Sequence, residues 1–377
     1  MTSAPSPVST RKSPKYVKVA RKLAEEIELG ILKPGDRLPS FGEIYEQFGA
    51  ATNTADRAFQ LLEQQGLVRR EQGRGIFVAQ PQEPAPQQKT GLVGFVGGFG
   101  PNSDFRSKPT LFSLQIIEGI QEVLSSVERQ VVLLDGDTTH GLEKVDGLFI
   151  CSTGQVEPIL RQLPPHIPCV SLLVEIEGVP SVVTDDCQAA KNAVEYLIGL
   201  GHRRIACLME FPYTLPRLRM EGYLAAMQEA GIAVNPRWLH QPLNLRQHSD
   251  SYREWGREAM SKWLREGWQE LGCTAVLAQN DMVAVGIQEA LQDAGVRVPR
   301  DVSVMGFDGT EIGEYCSPQL TSVKLPLQQM GATAARALLD LMQQDETVQE
   351  KAGEAPAITV LASALCVRQS TAPPPTI

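Results

Sequence analysis

Two residue types that often do chemistry can be set aside at once. The five histidines, His140, His166, His202, His240 and His248, share no metal-ligand or catalytic spacing. Neither a Gly-x-Ser-x-Gly elbow nor a Walker loop occurs. The seven cysteines, Cys151, Cys169, Cys187, Cys207, Cys273, Cys316 and Cys366, are odd in number and lack CxxC spacing, so they read as buried reduced thiols. What remains is cationic and polar. Arg57, Arg69, Arg70 and Arg74 lie in one short stretch with Asn53, Thr54 and the paired glycines Gly73 and Gly75. Guanidinium and amide groups gathered in this way suit phosphate oxygens and base edges better than bond-making. The net charge of −9 over 377 residues argues against nucleic acid when taken whole. Residues 1–80, however, hold 12 Lys/Arg against 9 Asp/Glu, and the remaining 297 hold 23 against 35. The basic charge sits on the segment that carries these arginines.

Helices and a hairpin must position them. Ala20, Leu23, Ala24, Ile27 and Ile31 recur at helical spacing, and Pro34-Gly35 breaks that first helix. Ser40 with Glu43 three residues on forms a capping box for a second helix ending near Phe48-Gly49. A third helix is expected from about Thr52 to Gln65, with Ala55, Phe59 and Leu62 facing the core. Two strands, Leu67–Arg70 and Ile76–Ala79, flank Gly73-Arg74-Gly75, where glycines permit a tight turn. Lys15 to Val78 thus reads as a winged helix-turn-helix. Residues 1–13 read as a disordered start without the apolar core of a secretory signal. Residues 14–79 are the winged domain, 80–90 a Pro/Gln-rich linker, 91–372 a second domain and 373–377 a tail.

Past the linker, short apolar strands alternate with amphipathic helices. Strands are expected at Leu92–Gly97, Val131–Asp135, Val145–Cys151, Cys169–Leu173, Ile205–Met209, Ala275–Gln279 and Val302–Phe307. Helices are expected near Leu111–Ser126, Gln188–Leu200, Pro216–Ala230, Gly256–Arg265, Met282–Ala294 and Leu327–Met342. This alternation indicates parallel sheets covered on both faces, in an α/β region large enough for two lobes. No stretch of about 18 apolar residues could span a bilayer.

The front segment resembles the GntR family, through Gly30, Pro34-Gly35-Asp36, Leu38-Pro39-Ser40, Asn53-Thr54, Ala58, Leu62, Gly66-Leu67-Val68, Gly73-Arg74-Gly75 and Phe77-Val78. The resemblance implies a helix in the major groove and a wing near the minor groove. Three positions that often hold DNA-contacting arginines carry Gly42, Thr52 and Asp56 instead. Either the operator differs from the family norm and DNA contact falls to Ser40, Asn53, Thr54, Arg57, Arg69, Arg70, Gly73 and Arg74, or binding is weak.

From Gly91 to about Thr371 the chain resembles the ligand-sensing domain of the LacI family. The resemblance rests on Val145-Asp146-Gly147-Leu148-Phe149-Ile150, Leu200-Gly201-His202-Arg203-Arg204-Ile205, Arg217-Leu218-Arg219 with Gly222-Tyr223, and Asn280-Asp281. It continues through Val298-Pro299-Arg300-Asp301-Val302-Ser303-Val304-Met305-Gly306-Phe307-Asp308, Leu320-Thr321-Ser322-Val323 and Val367-Arg368-Gln369-Ser370. It implies two Rossmann-like, periplasmic-binding-protein-like lobes with an effector between them. Arg219, Asn280 and Asp308 fall where relatives bind effector polar groups, and such groups can grip vicinal hydroxyls or a carboxylated ligand. Tyr252, Phe112 and Asp185 are further candidates. For Asp308 and Asn280 the alternative role is helix capping, as it is more strongly for Asp185; for Tyr252 and Phe112 it is core packing. Only Gly136 to Lys144 separate the second strand from the Val-Asp-Gly strand, too few for an ordinary helical crossover.

Together the two resemblances imply a cytoplasmic, homodimeric transcriptional repressor of arabinose-repressor-like architecture. Its partners are double-stranded operator DNA and a small sugar-like effector; no cofactor or metal is implied, and it is not an enzyme. The alternative is a solute-binding protein whose front domain no longer reads specific DNA.

Overall fold

The computed structural model describes residues 15–28, 30–64, 66–71, 74–79, 89–98, 110–134, 141–152, 160, 163–164, 167–210, 213–240, 251–344 and 356–375. It divides into two units, Met1–Gln88 and Lys89–Ile377. The first unit holds α1 (Lys15–Glu28), α2 (Phe41–Phe48), α3 (Thr52–Gln64) and an antiparallel hairpin of β1 (Val68–Glu71) and β2 (Gly75–Val78). Its core gathers Val19, Leu23, Leu38, Ile44, Ala55, Phe59, Leu62, Val68 and Val78, so each element contributes its apolar stripe. The expected capping box is present at Ser40 and Glu43, and α2 ends on Gly49 in the left-handed conformation. The Ser40 hydrogen bonds also hold the Glu43 carboxyl below its ordinary range. Ile31 lies beyond α1 and is exposed, because the helix stops before Gly30. Arg37 bridges to Phe77 and adds a short third partner to the hairpin.

The second unit is two parallel sheets joined by three crossings. One lobe holds β3 (Leu92–Gly98), α4 (Leu111–Ser125), β4 (Gln130–Leu133), β5 (Gly147–Ser152), β6 (Cys169–Leu172) and β7 (Ser181–Thr184). The chain then crosses to α5 (Asp186–Gly199), β8 (Ile205–Leu208), α6 (Thr214–Glu229), β9 (Leu239–His240), α7 (Tyr252–Arg265) and the short α8 (Trp268–Leu271). The second lobe continues with β10 (Ala275–Ala278), α9 (Asp281–Asp293), β11 (Ser303–Asp308), the short α10 (Ile312–Tyr315) and β12 (Thr321–Lys324). A return crossing leads to α11 (Leu327–Gln344) and β13 (Ile358–Leu361), which belong to the first lobe, and β14 (Ala364–Cys366) closes the second.

Strand order is β13-β7-β6-β5-β3-β4 in the first sheet and β14-β12-β11-β10-β8-β9 in the second. Every described pairing within them is parallel except β12 with β14. Strands β8 and β10 are buried along their whole length, as sheets covered on both faces require. Strands β7, β9, β12, β13 and β14 are absent from the sequence expectation. β9 and β14 are only two and three residues long, β7 (Ser-Val-Val-Thr) and β12 (Thr-Ser-Val-Lys) begin and end on polar residues, and β13 is largely exposed at a sheet edge. Among the described residues, the shortened connection before β5 holds a single 3-10 turn, Leu142–Lys144, whose Leu142 packs with Leu148 and Ile150. Residues 136–140 of that connection lie outside the described residues.

Asp146 shows what the Val-Asp-Gly motif does. Its carboxylate accepts from the Thr90 and Gly91 backbone N–H groups, the Thr90 hydroxyl and Arg129 Nη1 at 2.7–2.9 Å, pinning the start of the domain to β5. His202 is likewise structural, bonded through its two ring nitrogens to Thr274 and the Ala372 carbonyl.

Candidate functional site

Parallel strands end their hydrogen-bonding ladder at the carboxyl edge, and side chains of the following turns converge there. At the carboxyl end of the second sheet stand Glu210 after β8, Gln279 and Asn280 after β10, and Asp308 closing β11. Arg219, on the buried face of α6, reaches the same place and is 4% exposed. Its Nε donates to Asp186 Oδ1 at 2.6 Å, Nη1 donates to the Gln279 carbonyl and lies 3.4 Å from Asp308 Oδ1, and its plane stacks 3.7 Å from the Phe307 ring centroid. Asp186 follows the first crossing directly, and Lys324, the ladder partner of Asp308, precedes the return crossing. The cluster therefore adjoins the junction of the two lobes.

Asp308 has φ +106, a backbone region that ordinary side chains enter at a cost of about 1–3 kcal/mol. Burial drives its carboxyl well above the ordinary range; Arg219 opposes that, while Asp281 and Asp186 add to it. Asp281, buried beneath, is raised to about 6 by burial despite hydrogen bonds from Ser322 and Thr310.

The structure brings Arg219, Asn280 and Asp308 together, with distinct roles. Arg219 spends its described bonds on protein carboxylates and a carbonyl, so it holds the cluster's shape. Asn280 caps α9, its Oδ1 accepting from the Val283 N–H at 2.9 Å. Asp185 takes the capping role favoured for it: it is exposed and caps α5, accepting from the Gln188 N–H at 2.9 Å, whereas its neighbour Asp186 turns inward to Arg219. The N-cap and the first helical residue point in different directions, so one position decides which aspartate enters the cluster. Tyr252, half-buried at the start of α7, hydrogen-bonds to the Glu210 carboxyl, and burial raises its phenol. Phe112 packs half-buried against the main core on α4.

Glu210, Asp186 and Gln279 are absent from the sequence reading. A polar residue one or two positions past an apolar strand is the available signal, and Glu210, after Ile205–Met209, carries it. Glu210 is 2% exposed, its N–H donates to Gln279 Oε1 at 2.6 Å, and its own Oε1 has no hydrogen-bond partner among the described residues. Burial pushes its carboxyl up to about 7.

On the winged unit, Asn53 and Arg57 are exposed on α3 and Thr54 is half-buried. Ser40 uses its hydroxyl in the cap of α2, and Gly73 lies outside the described residues. Arg70 is tied down: Nε bonds Glu63 at 3.0 Å and Nη2 bonds Asp56 at 2.9 Å. Asp56 thus faces a guanidinium and, through its other oxygen, Gln60 at 3.0 Å. Arg69 and Arg74 share Glu71 at 3.1 and 2.9 Å. Of the candidate arginines, Arg57 has no ion pair among the described residues.

Among the described residues no cluster of three metal-ligating side chains occurs, and no helix is long and apolar enough to cross a membrane. Residues 15–78 match the profile described as bacterial regulatory proteins, gntR family, and residues 194–371 match that of the periplasmic binding protein-like domain. The chain is 30% identical over 262 residues to catabolite control protein A of Priestia megaterium, covering 65% of this chain and 75% of that protein. It is 28% identical over 351 residues to the arabinose metabolism transcriptional repressor of Geobacillus stearothermophilus, covering 88% and 92%. A LacI family transcriptional regulator from Enterococcus faecium, solved with bound ribose, aligns with TM-score 0.61 at 25% identity over 75% of this chain and 99% of that one. A CelR–cellobiose complex aligns with TM-score 0.63 at 26% identity over 87% and 93%.

Proposed function

We propose that this chain, which belongs to the transcriptional repressors joining a gntR-family reader to a LacI-type, periplasmic-binding-protein-like sensor, responds to a sugar held at the Arg219–Asp308 cluster. Ligand-modulated repression follows from the family; the sugar, the residues that hold it and the assembly are the proposal. The carrying observation is the strained, half-buried Asp308 locked beside Arg219 at the carboxyl edge of the sheet, next to the crossings between lobes. A carboxylate fixed there accepts hydrogen bonds from vicinal hydroxyls. Closure of the lobes on a sugar shifts the crossings and, in a homodimer, the spacing of the two winged units. The protein acts in the cytoplasm, where its operator is. Relatives solved with ribose and cellobiose, and those that repress arabinose metabolism, support this ligand class.

Fluorescence anisotropy and footprinting on the gene's own upstream DNA, with arabinose, ribose and cellobiose, test it. One sugar is expected to change operator affinity about 5–150-fold, the reach of an ordinary coupling free energy. Asp308→Asn should abolish that response and leave sugar-free DNA binding intact, with two half-sites protected. A response retained in Asp308→Asn refutes the assigned cluster.

A further inference from the structure

Glu210 has features that helix capping and core packing do not require. A buried carboxylate ordinarily gathers donors around both oxygens, because an unmet acceptor away from water costs folding free energy. Here the Tyr252 hydroxyl serves the carboxyl, while Oε1 is left without a partner among the described residues. Gln279 takes the Glu210 backbone N–H on its oxygen, and its side chain joins the Tyr252 hydroxyl in hydrogen-bonding the carboxyl, so Oε1 is the atom left over. The Glu210 side chain lies at the same sheet edge as Asp308, with Tyr252 within electrostatic reach of Glu210, Asp308, Tyr213 and Arg219. Arg219 is the guanidinium at the centre, and Asp186, Asp308 and the Gln279 carbonyl already occupy it. Among the described residues, carboxylates outnumber cations around this edge. A ligand arriving there meets an acceptor in need of a donor, while the guanidinium that an anionic group would need is already engaged by the protein.

We infer that Glu210 determines specificity at this site: its Oε1 accepts from a hydroxyl or ammonium group of the effector, and sugars bearing phosphate or carboxylate are rejected. The inference rests on the reading of this cluster as the effector site and narrows it to neutral and amino sugars. A site built to receive a donor discriminates strongly against analogues that cannot give one, because its polar group then stays unpaired.

Calorimetric titration of the full chain with matched probes tests the assignment. The panel is arabinose, ribose, cellobiose, glucose and glucosamine, against ribose 5-phosphate, glucose 6-phosphate and glucuronate. Binding is expected only from the first group, and Glu210→Ala should weaken the tightest member by about tenfold or more. Glu210→Gln keeps the side-chain volume, removes the charge that Glu210 carries above about pH 7, and at pH 8 should narrow the gap between glucose and glucose 6-phosphate. Circular dichroism of each variant establishes that it is folded. A phosphorylated or carboxylated sugar that binds the wild type as tightly as its parent overturns the inference. So does an unchanged affinity in Glu210→Ala when Asp308→Asn abolishes binding, and in that case the effector site itself stands. If no sugar binds, or binding survives both Asp308→Asn and Glu210→Ala, the effector-site reading fails and takes the inference with it.

Discussion

Burial without a full set of donors leaves Glu210 holding a proton over a range where a free carboxyl has lost it. Its carboxyl titrates near 7 in the folded chain against an ordinary 4.5. The folded state therefore binds the extra proton between those values, so its contribution to stability is full below 4.5 and falls as pH rises to about 7. Linkage puts the loss at about 3 kcal/mol. Asp281, raised to about 6, adds to the loss within this window, and Asp308 shifts in the same direction. Scanning calorimetry at about pH 4 and pH 8 is expected to show Glu210→Gln several degrees more stable than wild type at the higher pH and level with it at the lower. Equal displacement at both values would mean that the proton is not held there. At this scale the sequence was informative in kind: it offered Arg219, Asn280 and Asp308 through resemblance. It missed Asp186 because two adjacent aspartates look alike until helix geometry turns one outward.

Elements in this fold meet through glycine. A Cβ at Gly286 on α9 would run into the Arg253 carbonyl of α7, and one at Gly256 into the Val283 carbonyl. The pairs α4 with α11 and α5 with α6 are equally close, at Gly119, Gly331 and Gly222. Gly286→Val forces the α7–α9 pair apart, and urea unfolding should record a loss of about 1–3 kcal/mol or more. A change within about 0.5 kcal/mol would show that the crossing can relax freely. The reader has its own element-level constraint. Asp56, which from sequence stands as a repulsive group beside phosphates, is engaged by Arg70 and so ties the wing strand β1 to α3. Asp56→Asn releases one of the two carboxylates holding that arginine. Tighter binding to nonspecific DNA is expected, with the salt dependence steeper by about one ion. An unchanged slope in salt titrations would leave Arg70 as a structural strut.

For the whole molecule, a marginal coupling between sensor and reader is enough. A sugar that favours one lobe arrangement by about 1–3 kcal/mol changes operator affinity about 5–150-fold. The chain crosses between lobes three times, and the Arg219 cluster adjoins two of those crossings, so a ligand there bears directly on lobe geometry. The net charge of the chain hides this division of labour. Acidic residues dominate the unit that surrounds Arg219 with carboxylates, and the modest basic excess lies with the unit that carries Arg57 and the wing.

Sequence alone determined what depends on local pattern. Helical periodicity, the Ser40–Glu43 box, the glycines of the hairpin and the apolar runs of β3, β5, β8, β10 and β11 all follow from contacts within a few residues. Only the tertiary structure decided what depends on where distant segments meet. The short edge strands exist because neighbouring strands supply their hydrogen bonds. Asp186 and Glu210 acquire meaning because α6 carries Arg219 to one and α7 carries Tyr252 to the other. Arg70 changes from a free cation to a clamped one because β1 returns across α3. Charge and burial are properties of such meetings, and a chain read residue by residue does not contain them.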